Sequence, residues 1–108
     1  MSQAYDRNRL VELFGGDAAT LAEIEREFLD TARSAHEEIR ETEDPDTIAR
    51  AAHRLKGASG MIGADALSQV AAAVETAAKA NDLSAVRRLD ELFRHELTKV
   101  ATLMSGRS

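Results

Sequence analysis

Apolar residues return along this chain at intervals of three and four, the period of a helix face rather than of a strand. The first such stretch, "RNRLVELFGGD", is short and carries Leu10, Val11, Leu13 and Phe14 before Gly15 and Gly16 break it. A long stretch follows with Leu21, Ile24, Phe28, Leu29, Ala32, Ala35 and Ile39 in register, and Asp17 stands where an N-cap belongs. The polar "ETEDPD" ends it, because Pro45 disfavours helix at the residue before it. The next helix starts near Asp46 and carries Ile48, Ala51, Ala52, Leu55, Ala58 and Ile62, with a turn at Gly63. A fourth segment, Ala64 to Ala80, places Leu67, Val70, Ala71, Val74 and Ala78 along one face. In "ANDLS" Asn81 or Asp82 serves as stop and cap. The last helix then repeats Leu83, Val86, Leu89, Phe93, Leu97, Val100 and Met104.

No segment alternates with period two, so the fold class is all-α. Four substantial helices with short connections predict an antiparallel up-down four-helix bundle over about residues 17–105, with a short extra N-terminal helix over about residues 5–14. The 108 residues suit one domain spanning 1–108.

Composition agrees. Apolar residues make up 44% of the chain, and there is a single proline. The absence of cysteine excludes disulfides and thiolate metal sites. No apolar run approaches the ~18 residues of a membrane span, and "MSQAYDRNRL" lacks an apolar signal core. A cytoplasmic protein with no membrane partner is expected. A formal net charge of −5 argues against a nucleic-acid partner. The Met1 start and complete bundle lead us to expect a freestanding protein rather than a domain of a hybrid kinase, and closure within one chain a monomer.

One stretch departs from good helix-forming sequence. "AAHRLKGASGMIGADAL", residues 51–67, places Gly57, Gly60 and Gly63 just after His53. At about 100° per residue, with His53 at zero, the apolar stripe from Ile48 to Ile62 falls between roughly 140° and 260°. His53 therefore faces away from the seam. Gly57 and Gly60 lie within roughly 40° of its direction, and Ala49 is also small. Arg50 and Lys56, three residues either side, edge this face with positive charge. A lone histidine on a solvated face is usually inert, and Gly63 fits an ordinary helix end. Gly57 has no such account, since the apolar pattern continues past it. A glycine in mid-helix costs roughly 1 kcal/mol against alanine and points to close approach from outside.

A neutral imidazole is a nucleophile near pH 7 and can carry a transferred group. For a phosphoryl group, the attacking nitrogen must be exposed, the other nitrogen should donate to a fixed acceptor, and a cation should offset the phosphate. Lys56 can be that cation. Glu75 lies roughly 80° from Leu67 on the next helix, on the shoulder of its apolar stripe, where it can reach His53 without being buried. Gln69, further round towards solvent, is a weaker acceptor.

These residues resemble the signature of the histidine-containing phosphotransfer (HPt) domains of two-component phosphorelays. Ala52-His53, Leu55-Lys56-Gly57, Gly63-Ala64 and Leu67 match it, and Val74-Glu75 continues it, with Glu75 22 positions past His53. The resemblance implies phosphorylation of His53 on Nε2, with Glu75 accepting the Nδ1 proton. It implies that Lys56 interacts with the phosphoryl group and that Gly57, with Gly60, allows a receiver domain to approach. Met61, Arg50 and the short N-terminal helix would contribute to docking. The partners implied are response-regulator receiver domains and a sensor or hybrid histidine kinase. No intrinsic cofactor is implied, Mg²⁺ being expected from the receiver. The chain has no Gly-rich phosphate loop, so a phosphoryl carrier rather than an enzyme is expected.

Two other readings compete. A helical adaptor would dock the same partners without chemistry, but would not need the His-x-Leu-Lys-Gly core or Glu75. A metal site would draw on His36, His53 and His95, but these stand on three different predicted helices with no close ligand pair, so none is expected. His36 and His95 read as surface or helix-face residues.

Overall fold

A computed structural model describes residues 4–105. It contains five helices: α1 (Arg7–Phe14), α2 (Ala18–Glu41), α3 (Pro45–Met61), α4 (Asp65–Lys79) and α5 (Leu83–Ser105). No strand occurs among the described residues. The contacts run from α2 to α3, α3 to α4 and α4 to α5, and α5 closes back on α2. That ring is the four-helix core, and α1 rests on α2 at its edge. The links 42–44, 62–64 and 80–82 are three residues each, a length suited to helices that are neighbours in a bundle.

Each boundary has a local cause. Asp17 accepts from the Thr20 amide at 3.1 Å and the Thr20 hydroxyl at 2.6 Å, which caps α2. Asp44 caps α3 in the same way through Thr47, at 3.3 and 2.6 Å. This helix starts at Pro45, slightly earlier than the sequence pattern suggests, because proline at the first helical position has no amide to satisfy. Between α4 and α5, Asn81 adopts φ 58° and Asp82 accepts from the Ala85 amide at 3.0 Å. The two candidates thus divide the work, one turning the chain and the other capping. Arg87 of α5 donates to the Ile39 and Thr42 carbonyls at 2.8 and 2.6 Å, satisfying acceptors at the end of α2.

The segment before α1 ties the N-terminus to the α3–α4 turn. The Tyr5 hydroxyl donates to Glu25 Oε2 at 2.7 Å, and the Asp6 amide donates to the Gly63 carbonyl at 3.2 Å. Arg9 donates to the Gly60 carbonyl at 2.9 Å. Gly63 has φ +85°, and a Cβ there would meet the Asp6 carbonyl at 2.9 Å. Both facts require glycine.

The core contains most of the apolar positions expected from the sequence, including Leu21, Phe28, Ile48, Leu55, Leu67, Val74, Phe93 and Val100. At three kinds of position the structure adds what the periodic pattern does not give. α1 buries only Leu10 and exposes Val11, Leu13 and Phe14. His36 is not a surface residue: it is 8% exposed and stacks on Phe93 with ring centroids 4.6 Å apart. Its Nε2–H reaches Asp90 Oδ1 at 2.8 Å, which satisfies the buried ring and joins α2 to α5. His95 is exposed on α5.

Ser59 is the third such position. It takes a core position between Leu55 and Ile62, fully buried, and its hydroxyl has no hydrogen-bond partner among the described residues. An unmet buried hydroxyl is destabilising. Ser59→Ala is therefore expected to keep the fold and raise unfolding stability by about 1 kcal/mol. Urea titration checks this, and a clear loss of stability would contradict it.

Candidate functional site

α3 and α4 form the most extensive helix pair of the bundle, and the site lies across them. Burial of Ile48, Ala51, Ala52 and Leu55 fixes the rotation of α3 and turns His53 outward. On α4, Leu67, Val70, Ala71, Val74 and Ala78 point inward and carry Glu75 to the α3 side. His53 Nδ1 lies 3.0 Å from Glu75 Oε2. The histidine side chain is 66% exposed and that of Glu75 only 8%. Burial of Glu75 corrects the expectation of a carboxylate that reaches across while still solvated. Lys56, Lys79 and His53 close over it.

Glu75 is held on both oxygens. Lys56 Nζ is 3.0 Å from Oε1, and Lys79 Nζ is 3.1 Å from Oε2. The hydrogen bond from Lys56, supported by those from Lys79 and His53, lowers the Glu75 carboxyl from 4.5 to about 2 against the opposing effect of burial. An ionised carboxylate can only accept hydrogen bonds. The proton of a neutral His53 must then be on Nδ1, which leaves the lone pair on Nε2. Nε2 makes no hydrogen bond among the described residues.

The sequence-derived residues fare differently from one another. His53, Lys56 and Glu75 come together, although Lys56 is engaged by Glu75 rather than extended over His53. Gly57 is exposed, and a Cβ there would have nothing within 4 Å, so no internal contact calls for glycine. Gly60 does not open the His53 face as expected. It is half-buried, a Cβ would lie 3.5 Å from Ser68 Oγ, and its carbonyl is held by Arg9. It shares the direction of His53 but lies where α1 and α4 converge on the end of α3. Arg50 is exposed beside His53, and Met61 is exposed at the end of α3.

An open cleft of about 480 Å³ adjoins the histidine, lined by Ala49, Arg50, His53, Arg54, Glu75 and Lys79. Arg54 is tied to Glu38 of α2 at 2.9 Å. Two residues were missed by the sequence reading. Lys79 could have been found as the i,i+4 partner of Glu75 on one helix face. Ser68 donates to the Lys56 carbonyl at 2.9 Å and carried no comparable signal. Among the described residues no group of three or more His, Cys, Asp or Glu side chains could hold a metal ion, and no helix is long and apolar enough to cross a membrane.

Bundle and site together define a helical module that presents one outward histidine anchored by a buried carboxylate. The chain belongs to the Hpt domain family, whose profile matches residues 9–103. Members of that family act in phosphorelay histidine phosphotransfer, as phosphocarriers that interact with receiver domains and kinases. No curated protein and no solved structure matches the chain.

The depressed Glu75 carboxyl predicts a pH-dependent contribution to stability. Its folded value lies below its unfolded value, so the stabilisation is full above pH 4.5 and disappears as pH falls towards 2. Denaturant melts of the protein and of Glu75→Gln should differ most above pH 5 and converge near pH 2. A difference independent of pH would show that the carboxylate charge is not what stabilises.

Proposed function

We propose that His53 is the phosphoryl-accepting residue, and that the chain carries the group between aspartyl-phosphate receiver domains or from a sensor kinase to a response regulator. The observation that carries this reading is the 3.0 Å contact between His53 Nδ1 and a buried Glu75, with the opposite edge of the ring left to solvent. The Nε2 lone pair attacks the phosphorus of the aspartyl phosphate, the P–O bond to the carbonyl side breaks, and the aspartate leaves as a carboxylate. The ring gains positive character and keeps its proton on Nδ1, where Glu75 accepts the hydrogen bond. Return of the group to another aspartate reverses these steps.

The chain supplies the nucleophile and the means of holding it. Stabilisation of the transferring phosphoryl charge falls to the receiver's acidic site and its Mg²⁺. Gly57, one turn beyond His53, lets the receiver's backbone come close. Met61, Arg50 and α1 contribute the remaining contact surface. We place the protein in the cytoplasm, where receivers and kinase domains operate, and treat it as a monomer.

Incubation with a phosphorylated receiver should give an acid-labile, base-stable phosphate on this protein, and His53→Gln should abolish it. Equal labelling of His53→Gln would sink the proposal. Receiver binding that survives His53→Ala, with phosphate never detected on either protein, would favour a docking adaptor instead. Glu75→Ala should slow transfer less severely than loss of His53.

Gly57→Leu should stay folded, with up to about 1 kcal/mol of added helix stability. It should nevertheless slow transfer on the order of 10- to 100-fold by displacing the reacting groups. Rapid-mixing transfer assays beside circular dichroism separate the two effects, and an unaltered rate would refute the clearance role.

A further inference from the structure

Three glutamates are buried among the described residues, and they are unequally compensated. Glu75 meets Lys56, Lys79 and His53, and Glu25 meets the Tyr5 hydroxyl and Arg7. Glu96 of α5 is 8% exposed, yet its carboxylate accepts one hydrogen bond among the described residues, from Lys99 Nζ to Oε2 at 3.3 Å. Oε1 accepts none there. Lys99 lies three residues on along the same helix with its side chain 49% exposed, so this pair is screened by solvent. A carboxylate so far from water is costly unless a cation and further hydrogen bonds meet it.

Glu96 lines a second open cleft, of about 290 Å³, between α4 and α5. Ala66, Val70 and Ala73 line it from α4, Leu89 and Leu92 from α5, and Glu96 is the one charged residue in the lining among the described residues. Leu92 stands off the core stripe and is 46% exposed. Ala66 and Ala73, two turns apart on one line of α4, leave the furrow its depth. The cleft shares no residue with the one beside His53. Ala73 and Glu75 are roughly 200° apart around α4, so the two clefts open on opposite sides of that helix.

A furrow between two packed helices accepts the side-chain ridge of a third. An extended segment would find no sheet edge among the described residues and would leave its amides unpaired against apolar walls, whereas a helix satisfies its own. The recessed carboxylate selects the charge. A guanidinium presents a planar fork of donors and can serve the oxygen that Lys99 does not reach.

We propose that the α4–α5 cleft is a docking surface for an amphipathic helix of a partner protein, with an arginine of that helix meeting Glu96 and its apolar residues covering Leu92 and Ala73. This does not depend on the reading of His53. It leaves the His53 face open, so that one partner is held here while another engages the histidine.

The test presents the full chain to a displayed library of helical peptides of about 14 residues, roughly 20 Å of helix. Leucines form one face, and the flanking positions are randomised among Arg, Lys, Gln and Glu. Enriched peptides should carry arginine at one fixed place. Titration of ¹⁵N-labelled protein with the tightest peptide should move the amide signals of Ala66, Ala73, Leu92 and Glu96 and leave those of His53 and Lys56 in place. Glutamine in place of that arginine should weaken binding about tenfold or more. Glu96→Gln should remove the difference between the two peptides. Ala73→Leu, at an exposed position, should fill the furrow and lower the affinity of both peptides at least about tenfold. Circular dichroism verifies that the variants are folded, and if Glu96→Gln is not, Ala73→Leu and the peptide pair still decide. The proposal is overturned if no peptide is enriched, if enrichment shows no preference for arginine, if that preference persists on Glu96→Gln, or if the shifts gather at α1 or beside His53. Sedimentation showing that the chain pairs with itself through this cleft, in a complex dissolved by Leu92→Ala, would overturn it as well.

Discussion

The buried Glu75 carboxylate is the constraint around which the functional end of this bundle is organised. Its burial would be costly without compensation. Lys56 and His53 from α3 and Lys79 from α4 provide that compensation on both oxygens. Because two of the three donors come from the neighbouring helix, the same contacts that stabilise the charge also set the register of α3 against α4. The imidazole orientation follows from this arrangement. A solvated glutamate at the same position would have left the ring free to rotate.

The rest of the fold keeps those two helices in place. On the far side, the His36 ring on Phe93 and its bond to Asp90 close α5 against α2. Arg87 completes the end of α2. None of these groups reaches His53, yet they hold the helices that hold α3 and α4. The division of labour is spatial, with polar network chemistry at the α3–α4 surface and ring stacking at the α2–α5 contact.

Much of this was legible in the sequence because helical period and capping residues are local signals. Asp17, Pro45 and the apolar stripe of α3 place their elements with no knowledge of the neighbours, and the outward direction of His53 follows from the wheel alone. Relations between helices were harder to read. Glu75 can be put on a shoulder of α4, but its burial depends on three side chains closing over it, two of them from another helix. His36 and Ser59 are polar letters on apolar faces, and only the partner across the interface, Phe93 and Asp90 for the first, decides whether such a residue is inside. Gly60 shows the same limit. Its direction was read correctly, but the approach of Arg9 from a distant part of the chain was invisible.

The contact between Asp6 and Gly63 has a consequence for where this domain begins. The family profile starts at residue 9, yet Tyr5 is 3% exposed and Asp6 fills the space that a side chain at Gly63 would need. The physical unit therefore starts ahead of the unit defined by family resemblance. A chain trimmed to the matched segment would lose the Tyr5 hydroxyl against Glu25 and open the turn from which α4 departs. Boundaries drawn from shared sequence mark what relatives have in common, whereas this turn is completed by residues outside that shared part.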